Sequence, residues 1–202
     1  MKIVPEKQKS LFQTDSWKYE LPWFLMLAAI VIMSGTLAQQ GRIWWCEWDI
    51  PIYIWSSDVW TKHNSQHFFD PYTFTHLLHG FMFFWAARLI FKHRIGFAWM
   101  LFAAVMAESA WEVIENSAFI IDKYRANTAS LEYFGDSIAN SIGDVVACIV
   151  GFWVAYMLQV WRSIILFLII EAILILTIKD SLLINIIMLI YPIEAIKVWQ
   201  GG

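Results

Sequence analysis

The sequence predicts an all-α membrane protein, a bundle of about six transmembrane helices of which the last two are short. Three observations lead to this fold class. The 202-residue chain is 59% hydrophobic and has a mean hydropathy of +0.56. Only 15% of its residues are charged, against about 25% in soluble domains. Several apolar runs are long enough to cross about 30 Å of hydrocarbon.

The predicted spans form a single transmembrane domain, residues 21–200, after a polar N-terminal segment, residues 1–20. No cleavable signal precedes the first apolar run, which we interpret as an uncleaved anchor. The last two spans are shorter than the roughly 20 residues that a crossing needs, so they are short spans or a tilted hairpin packed against the rest. The predicted spans are residues 21–39, 72–91, 96–121, 136–161, 163–178 and 182–196.

The span boundaries follow from places where apolar runs meet turn-forming residues. A turn at Asp70-Pro71 precedes the second span, and a polar turn at Gly135-Asp136 opens the fourth. The tight connection before the sixth span offers Asp180 or Ser181 as a helix cap.

Lysine and arginine placement predicts that both termini are cytoplasmic, because cytoplasmic loops are enriched in these residues. The location that follows is the bacterial inner (cytoplasmic) membrane, crossed several times. The Trp-rich first loop, residues 41–71, then lies outside, either among lipid headgroups or as a lid over an outward-facing pocket. A net charge of −3 without a basic stripe argues against a nucleic-acid partner. The expected partner is the lipid bilayer.

Three glutamates in the third predicted span are the most informative feature of the chain. Glu108, Glu112 and Glu115 are spaced by four and three residues, which puts them on one helical face. Each carboxylate near a bilayer centre costs about 2–3 kcal/mol on insertion scales. This face must therefore be buried against other parts of the protein.

Two neighbouring predicted spans carry polar residues at a matching depth. His76 and His79 lie three residues apart near the outer end of the second span and share one face. Asp136, Asn140 and Asp144 form a stripe along the fourth span at a spacing of four. Polar faces on three helices at one depth predict a shared, outward-facing site.

The residue types in this set allow several kinds of chemistry. Imidazoles and carboxylates are ligands of zinc, iron and manganese, and such a divalent metal can activate a water. The alternatives are a polar core of hydrogen-bonded histidines and protonated carboxylates, or proton and ion conduction. The predicted metal ligands are His76, His79, Glu112 and Asp144. The predicted catalytic residues are Glu112, Glu115, Glu108, Asp136 and Asn140.

Residues outside the spans extend the expected site toward a substrate. Arg125 at headgroup level suits phosphate recognition through its planar guanidinium, with an interfacial anchor as the alternative. Tyr124 and Tyr72 are predicted to bind the substrate together with Arg125.

The leading hypothesis is an enzyme that acts on a lipid or lipid-linked substrate. The alternatives are a non-catalytic lipid- or ligand-binding protein and a proton-coupled transporter. Transport is disfavoured because the inner halves of the second and third spans are mainly apolar.

Several strings resemble a family of uncharacterised proteobacterial integral membrane proteins, and the resemblance covers nearly the whole chain from about Gly41. It implies little about activity, since that family has no assigned function. The strings include Gly41-Arg-Ile-Trp-Trp-Cys46, Asn64-Ser-Gln-His67, His76-Leu-Leu-His79-Gly80, Glu108-Ser-Ala-Trp-Glu112-Val-Ile-Glu115-Asn116, Gly135-Asp-Ser-Ile-Ala-Asn140-Ser and Tyr191-Pro-Ile-Glu-Ala-Ile-Lys-Val-Trp-Gln200.

A looser resemblance reaches the VanZ-like membrane proteins and implies a shared helical core. Glu112 or Glu115 stands where that pattern has a glutamine, and Ala147 stands where it has a second glycine. The residues that match the pattern are His76 or His79, Glu108, Arg125, Asp136, Asn140 and Gly143.

Overall fold

The computed structural model describes residues 16–47, 53–92, 94–128 and 132–201, and these residues form helices without a β-strand. Four helices, α1, α2, α3 and α5, are long and apolar enough to cross a membrane. The predicted all-α membrane class is therefore confirmed. The helices are α1 (Ser16–Gln39), α2 (Thr73–Phe91), α3 (Phe97–Glu115), α4 (Ala118–Asn127), α5 (Ile138–Ile178), α6 (Leu182–Ile190) and α7 (Glu194–Gly201).

The distribution of side chains is the one expected for a protein surrounded by lipid. Large apolar residues point outward, as Leu89 and Leu176 do, with exposed fractions of 74% and 83%. Ionisable residues are buried between helices, and both Glu108 and Glu112 are 0% exposed. A polar interior under an apolar surface fits a hydrocarbon surrounding, since such groups are placed inside the bundle of a membrane protein.

Helix α3 ends at Glu115, six residues before the end of the predicted third span. Ser117 is extended and its side chain accepts a hydrogen bond from the backbone N–H of Ile120, so it caps a new helix, α4. The predicted span 96–121 thus joined two helices. Continuous apolar sequence concealed the break, which the capping serine makes.

The long helix α5 is two antiparallel spans joined at Gln159, whose φ of 63° and ψ of 171° are not helical. The first half runs parallel to α2. Near its start, the missing side chain of Gly143 leaves room for the carbonyl of Phe68, which precedes α2. Further along both helices, Phe152 packs edge-on against Phe84, 5.7 Å between ring centroids. The second half runs in the opposite direction. Trp85, near the end of α2, donates to Ser163 at 2.8 Å, and Tyr72, just before α2, donates to Asp180 at 3.0 Å.

The last two helices pack beside α4 at the end of the bundle where α3 ends. Lys123 of α4 donates to the carbonyl of Leu189 at 3.3 Å, and Lys197 of α7 donates to the carbonyl of Ala126. The nine residues of α6 extend only about 14 Å, too little for a crossing. Segment 182–196 therefore does not return across the bundle.

The first and the last described residues lie at opposite ends of the bundle. Gln40, which follows α1, donates to the carbonyl of Val113 at 3.1 Å, so α1 and α3 end together. The start of α1 at Ser16 is then at the far end, while Gly201 lies near α4. The prediction that both termini are cytoplasmic counted the short apolar segment 182–196 as a full crossing, and the side of the membrane on which each terminus lies stays a prediction.

The backbones of α2 and α5 pack closely against each other, and glycines make this possible. A side-chain carbon added at Gly80 would lie 2.9 Å from the backbone carbon of Gly151, and one added at Gly151 would lie 2.8 Å from that of Leu77. Small residues at helix contacts are the usual means of close packing in membranes. This contact brings the polar faces of α2 and α5 together above the buried rings of Phe81, Phe84 and Phe152.

Candidate functional site

A cavity of about 390 Å³ lies between α2, α3, α4 and α6, within the size range of small-molecule sites. One part of its wall is polar and contains His76, His79, Glu115, Tyr124 and Asp136. The other part is apolar and is lined by Met82, Phe83, Trp111, Ile114, Ile186 and Leu189. The cavity is therefore amphipathic.

Glu108 holds both histidines of α2. Its Oε1 lies 2.6 Å from Nδ1 of His76, and its Oε2 lies 3.0 Å from Nδ1 of His79. The two imidazole rings are 5.1 Å apart between centroids and nearly perpendicular. The helical spacing of three on α2 thus aims both rings at one carboxylate on α3, as the sequence predicted for a shared site.

Glu112 is completely buried, and neither of its carboxylate oxygens has a hydrogen-bond partner among the described residues. Its Oε1 lies 3.2 Å from Nδ1 of His76, near enough for electrostatic attraction but without the geometry of a hydrogen bond. A buried carboxylate without a donor is costly unless a proton or a cation is supplied. Asp144 approaches the other side of His76, with its Oδ2 4.0 Å from Nε2.

Glu115 is the last residue of α3 and is hydrogen-bonded to α4. Its Oε1 accepts a hydrogen bond of 2.9 Å from the hydroxyl of Tyr124, and its Oε2 has no partner among the described residues. Burial raises the pKa of Tyr124 well above its usual value, and the charge of Glu115 raises it further. Tyr124 therefore stays a protonated donor at neutral pH.

Asp136 forms a reciprocal pair with Asn116, a residue outside the predicted site. The Asn116 amide donates to Oδ2 of Asp136 at 2.7 Å and accepts from the Asp136 backbone N–H at 2.7 Å. Tyr133 donates to Oδ1 at 3.0 Å. Burial raises the pKa of the Asp136 carboxyl, and the hydrogen bond from Asn116 partly offsets that rise.

Asn140 ties the first loop to α5 and is not among the described residues that line the cavity. Its side chain donates to the carbonyl of His67 at 2.7 Å and lies 3.5 Å from Asp70. Asp70 accepts backbone hydrogen bonds from Ser65 and Tyr72. Burial and the nearby charge of Asp136 raise the pKa of Asp70 to about 6.

The three residues predicted to bind substrate lie in different surroundings. Tyr72 and Tyr124 line the cavity, and the hydroxyl of Tyr72 donates to Asp180. Arg125 is exposed on α4, with its guanidinium 5.1 Å from the ring centroid of Phe134. Arg125 is thus not among the described residues of the cavity wall, although it follows Tyr124, which is.

Sequence reasoning missed Asn116 and Tyr133 as partners of Asp136. Asn116 directly follows the last glutamate of α3, and a polar pair, Asn116-Ser117, inside an apolar run was the available signal. The position of Tyr133 was noticed in the loop, but its partner depends on how the loop folds.

The assembled site contains more buried carboxylates than histidines. Two groups place one ligand atom from each member within 4.8 Å of the others, so each can hold a metal ion. These groups are His76, His79 and Glu108, and His76, Glu112 and Glu115. The donor set of imidazoles and carboxylates fits a divalent transition metal.

Comparison with known proteins shows a family match over most of the chain. The family described as "Protein of unknown function (DUF2585)" matches residues 37–202. A UPF0314 protein of Brucella anthropi is 42% identical over 186 residues, which covers 92% of this chain and 93% of that protein. UPF0314 proteins of Rhizobium johnstonii and Novosphingobium aromaticivorans are 42% and 40% identical, covering 89% and 87% of this chain and 92% and 88% of their own.

These relatives confirm the predicted resemblance to uncharacterised proteobacterial membrane proteins. The looser likeness to VanZ-like proteins is not shown by these matches. No solved structure matches the chain.

Proposed function

This chain belongs to the DUF2585 family, and we propose that it is an inner-membrane enzyme that uses a divalent metal to act on a lipid or lipid-linked substrate. One observation carries the proposal. A cavity with one polar and one apolar part of its wall lies beside His76, His79 and Glu112, and the carboxylate oxygens of Glu112 have no hydrogen-bond partner among the described residues.

His76, His79, Glu108 and Glu112 would hold the metal. Both imidazoles already point at Glu108, and neither carboxylate oxygen of Glu112 has a hydrogen-bond donor among the described residues. A bound cation offsets this surplus of buried negative charge. When bound, zinc, iron or manganese supplies a Lewis acid and lowers the pKa of a bound water. Asp144, beside His76, would orient that imidazole or complete the ligand set.

The substrate class follows from the two parts of the cavity wall. Met82, Phe83 and Leu189 offer an apolar surface for a lipid chain. The hydroxyls of Tyr72 and Tyr124 would contact the headgroup near the polar part. Arg125 would meet a headgroup phosphate at the rim, since a guanidinium fits phosphate oxygens in pairs.

Glu115 and Asp136 are the candidates for proton transfer to and from the substrate. Both line the cavity, and each is held by a tyrosine hydroxyl, Tyr124 for Glu115 and Tyr133 for Asp136. A carboxyl that is oriented in this way can act as a general acid or base. Asn140 supports this arrangement indirectly by holding the first loop.

The second candidate is a lipid-binding protein without turnover, which the largely apolar cavity wall favours. Proton-coupled transport is the third. It is less well supported, because the fully buried rings of Phe81, Phe84 and Phe152 fill the core beyond the histidines.

The test is metal and lipid analysis of the full chain purified in detergent without chelator. We expect bound divalent metal, its loss from the site in the His76→Ala/His79→Ala variant, and conversion of a component in bacterial lipid extract by the wild type but not by that variant. The exposed-carboxylate variant Asp122→Asn is the control and should match the wild type. Wild-type protein without metal would refute the metal-dependent mechanism. A co-purified lipid that is never converted would favour the binding protein.

A further inference from the structure

We infer that the first loop contains a separate zinc site formed by Cys46, His63 and His67. The three residues come from two distant parts of the loop, and each places one ligand atom within 4.8 Å of the others. None of them takes part in the site around His76. The inference therefore does not depend on the proposed function.

The distance between the cysteine and the first histidine fits a shared metal. Sγ of Cys46 lies 3.5 Å from Nδ1 of His63. Zinc bonds of about 2.3 Å to sulfur and about 2.0 Å to nitrogen place the two ligand atoms about 3.5 Å apart at a tetrahedral angle. A thiol–imidazole hydrogen bond has a similar length, so this distance alone does not distinguish a metal site from such a bond. The chemistry and surroundings of His67 distinguish the two.

His67 is oriented in the way that metal-binding histidines are. Its Nδ1 lies 3.0 Å from the carbonyl oxygen of Tyr53, which can only accept, so Nδ1 carries the proton and Nε2 carries the lone pair. A hydrogen bond from the second ring nitrogen to a carbonyl is the usual support of a ligating imidazole. The edge-on ring of Trp45, 6.4 Å away between centroids, packs beside it.

The ligand types favour zinc over calcium or magnesium. One thiolate and two imidazoles are borderline-soft donors, and zinc accepts this combination with a fourth position left for water or another ligand. Cys46 and His67 are 6% and 1% exposed and His63 is half-buried, so two of the three ligands are shielded from solvent. The spacing His63-x-x-x-His67 also lies within the range found for histidine pairs at zinc sites.

A metal here would stabilise one wall of the cavity. Asn64 and Ser65, between the two histidines, line the cavity. Gln66 donates to the carbonyl of Gly135 at 2.7 Å and accepts from Ser137 through its own carbonyl. Joining Cys46 to His63 and His67 would therefore hold this turn against the start of α5.

Cobalt substitution tests the inference, because a cobalt–thiolate bond gives a near-ultraviolet charge-transfer band that imidazoles and carboxylates do not give. The full chain in detergent, kept reduced with a non-thiol reductant, is stripped of metal and titrated with Co²⁺. We expect the band to grow with added cobalt until one cobalt ion is bound at this site, and zinc to displace it. His67→Gln should weaken cobalt binding at this site at least about tenfold, since one of three ligands is lost.

Two variants identify the cysteine responsible. Cys46→Ser should abolish the band, whereas Cys148→Ala, which removes the cysteine on α5, should retain it. The His76→Ala/His79→Ala variant should also retain the band, which separates this site from the proposed catalytic metal. Absence of the band from the wild type at saturating cobalt would overturn the inference. So would a band that survives Cys46→Ser and disappears in Cys148→Ala.

Discussion

Asp136 and Asp180 show how single buried carboxyls at the ends of the spans depend on one or two donors. Asp136 relies on the Asn116 amide and the Tyr133 hydroxyl. Asp180 accepts from the Tyr72 hydroxyl and from the backbone N–H of Ser181. In both cases burial disfavours the charged form, and the loss of a donor leaves that cost uncompensated.

Replacing Asn116 by aspartate should destabilise the protein at alkaline pH. The substitution places a second carboxylate against Asp136 where the amide donated at 2.7 Å. A lost donor to a charged group costs about 1–3 kcal/mol, which corresponds to a fall in Tm of roughly 3–10 °C for a chain of this size. Thermal unfolding in detergent at pH 8 and pH 5 measures it, and the loss should shrink at pH 5, where one proton can bridge the pair.

The exchanged pair Asn116→Asp/Asp136→Asn is the matched control. It restores one amide and one carboxylate, so its Tm at pH 8 should recover most of the loss. Equal stability of the single and exchanged variants would contradict the assigned contact.

Asp180 should make stability fall as pH rises. Burial raises its pKa from 3.8 to about 7, against the opposing effect of hydrogen bonds from Ser181 and Tyr72. The folded state then binds the proton more tightly than the unfolded state, so this contribution is complete below about pH 4 and is lost by about pH 7. Between about pH 4 and about pH 7, the Tm of the Asp180→Asn variant should therefore rise relative to the Tm of the wild type. Parallel pH profiles would show that Asp180 does not titrate in this way.

At the scale of helices, the contact between α2 and the first half of α5 positions the site. Glycines let the two backbones meet, and this brings His76 and His79 within reach of α3 and places Asp144 beside His76. Helix α1 packs at the periphery, and a side-chain carbon added at Gly35 would meet no atom of the described residues within 4 Å. The absent side chain is therefore required for packing at Gly80 in α2 but not at Gly35 in α1.

Alanine at Gly80 and at Gly35 should change stability in opposite directions. At Gly80 the new methyl group would overlap the α5 backbone near Cys148 and Gly151, at a cost of about 1–3 kcal/mol. At Gly35 the same change should stabilise by up to about 1 kcal/mol through helix propensity. Thermal unfolding of the two variants compares them directly. A loss at Gly35 as large as that at Gly80 would refute the packing argument.

For the whole molecule, the reversal at Gln159 and the short α6 predict an odd number of crossings. Five helical segments run along the bundle, namely α1, α2, α3 and the two halves of α5, and the last described residues lie beside α4. The lysine-rich N-terminal segment still favours a cytoplasmic start, since Lys2, Lys7, Lys9 and Lys18 lie there. A cytoplasmic start predicts that the candidate site opens on the outer side, at the end of the bundle where the last described residues lie.

Reporter fusions should place the C terminus outside. Alkaline phosphatase fused after Gly202 should be active and a green fluorescent protein at the same position dark, because five crossings follow a cytoplasmic N terminus. Fusions after Trp161, four crossings along, should give the opposite pair of signals. A fluorescent fusion after Gly202 would mean an even number of crossings.

Local pattern was sufficient for the helical class and for the polar faces that the structure brings together in the candidate site. The spacing of Glu108, Glu112 and Glu115 put them on one face, and the polar starts of two other spans pointed to the same depth. The pattern did not predict the helix boundary and the side-chain contact that depend on specific hydrogen-bond partners. Ser117 interrupts α3 through its own cap, and Asn140 faces the first loop because Asp70 and the carbonyl of His67 lie there.

The first loop shows the same limit. Cys46 and His63 are 17 residues apart, and no helical or strand period relates them, so only the folded loop brings them to 3.5 Å. The contact of the Arg125 guanidinium with the ring of Phe134 also depends on tertiary structure, since the loop that follows α4 brings Phe134 there.

The amino-acid sequence by itself determined that this protein is a helical membrane bundle and that histidines and carboxylates are buried within it. Hydrophobicity and helical periodicity are local properties, and the cost of a charge in hydrocarbon makes burial of the polar faces unavoidable. Only the tertiary structure decided which carboxylate each histidine meets, that α5 reverses at Gln159, and that α6 and α7 remain on the side of the cavity. These features depend on contacts between segments far apart in the chain, which local periodicity does not encode.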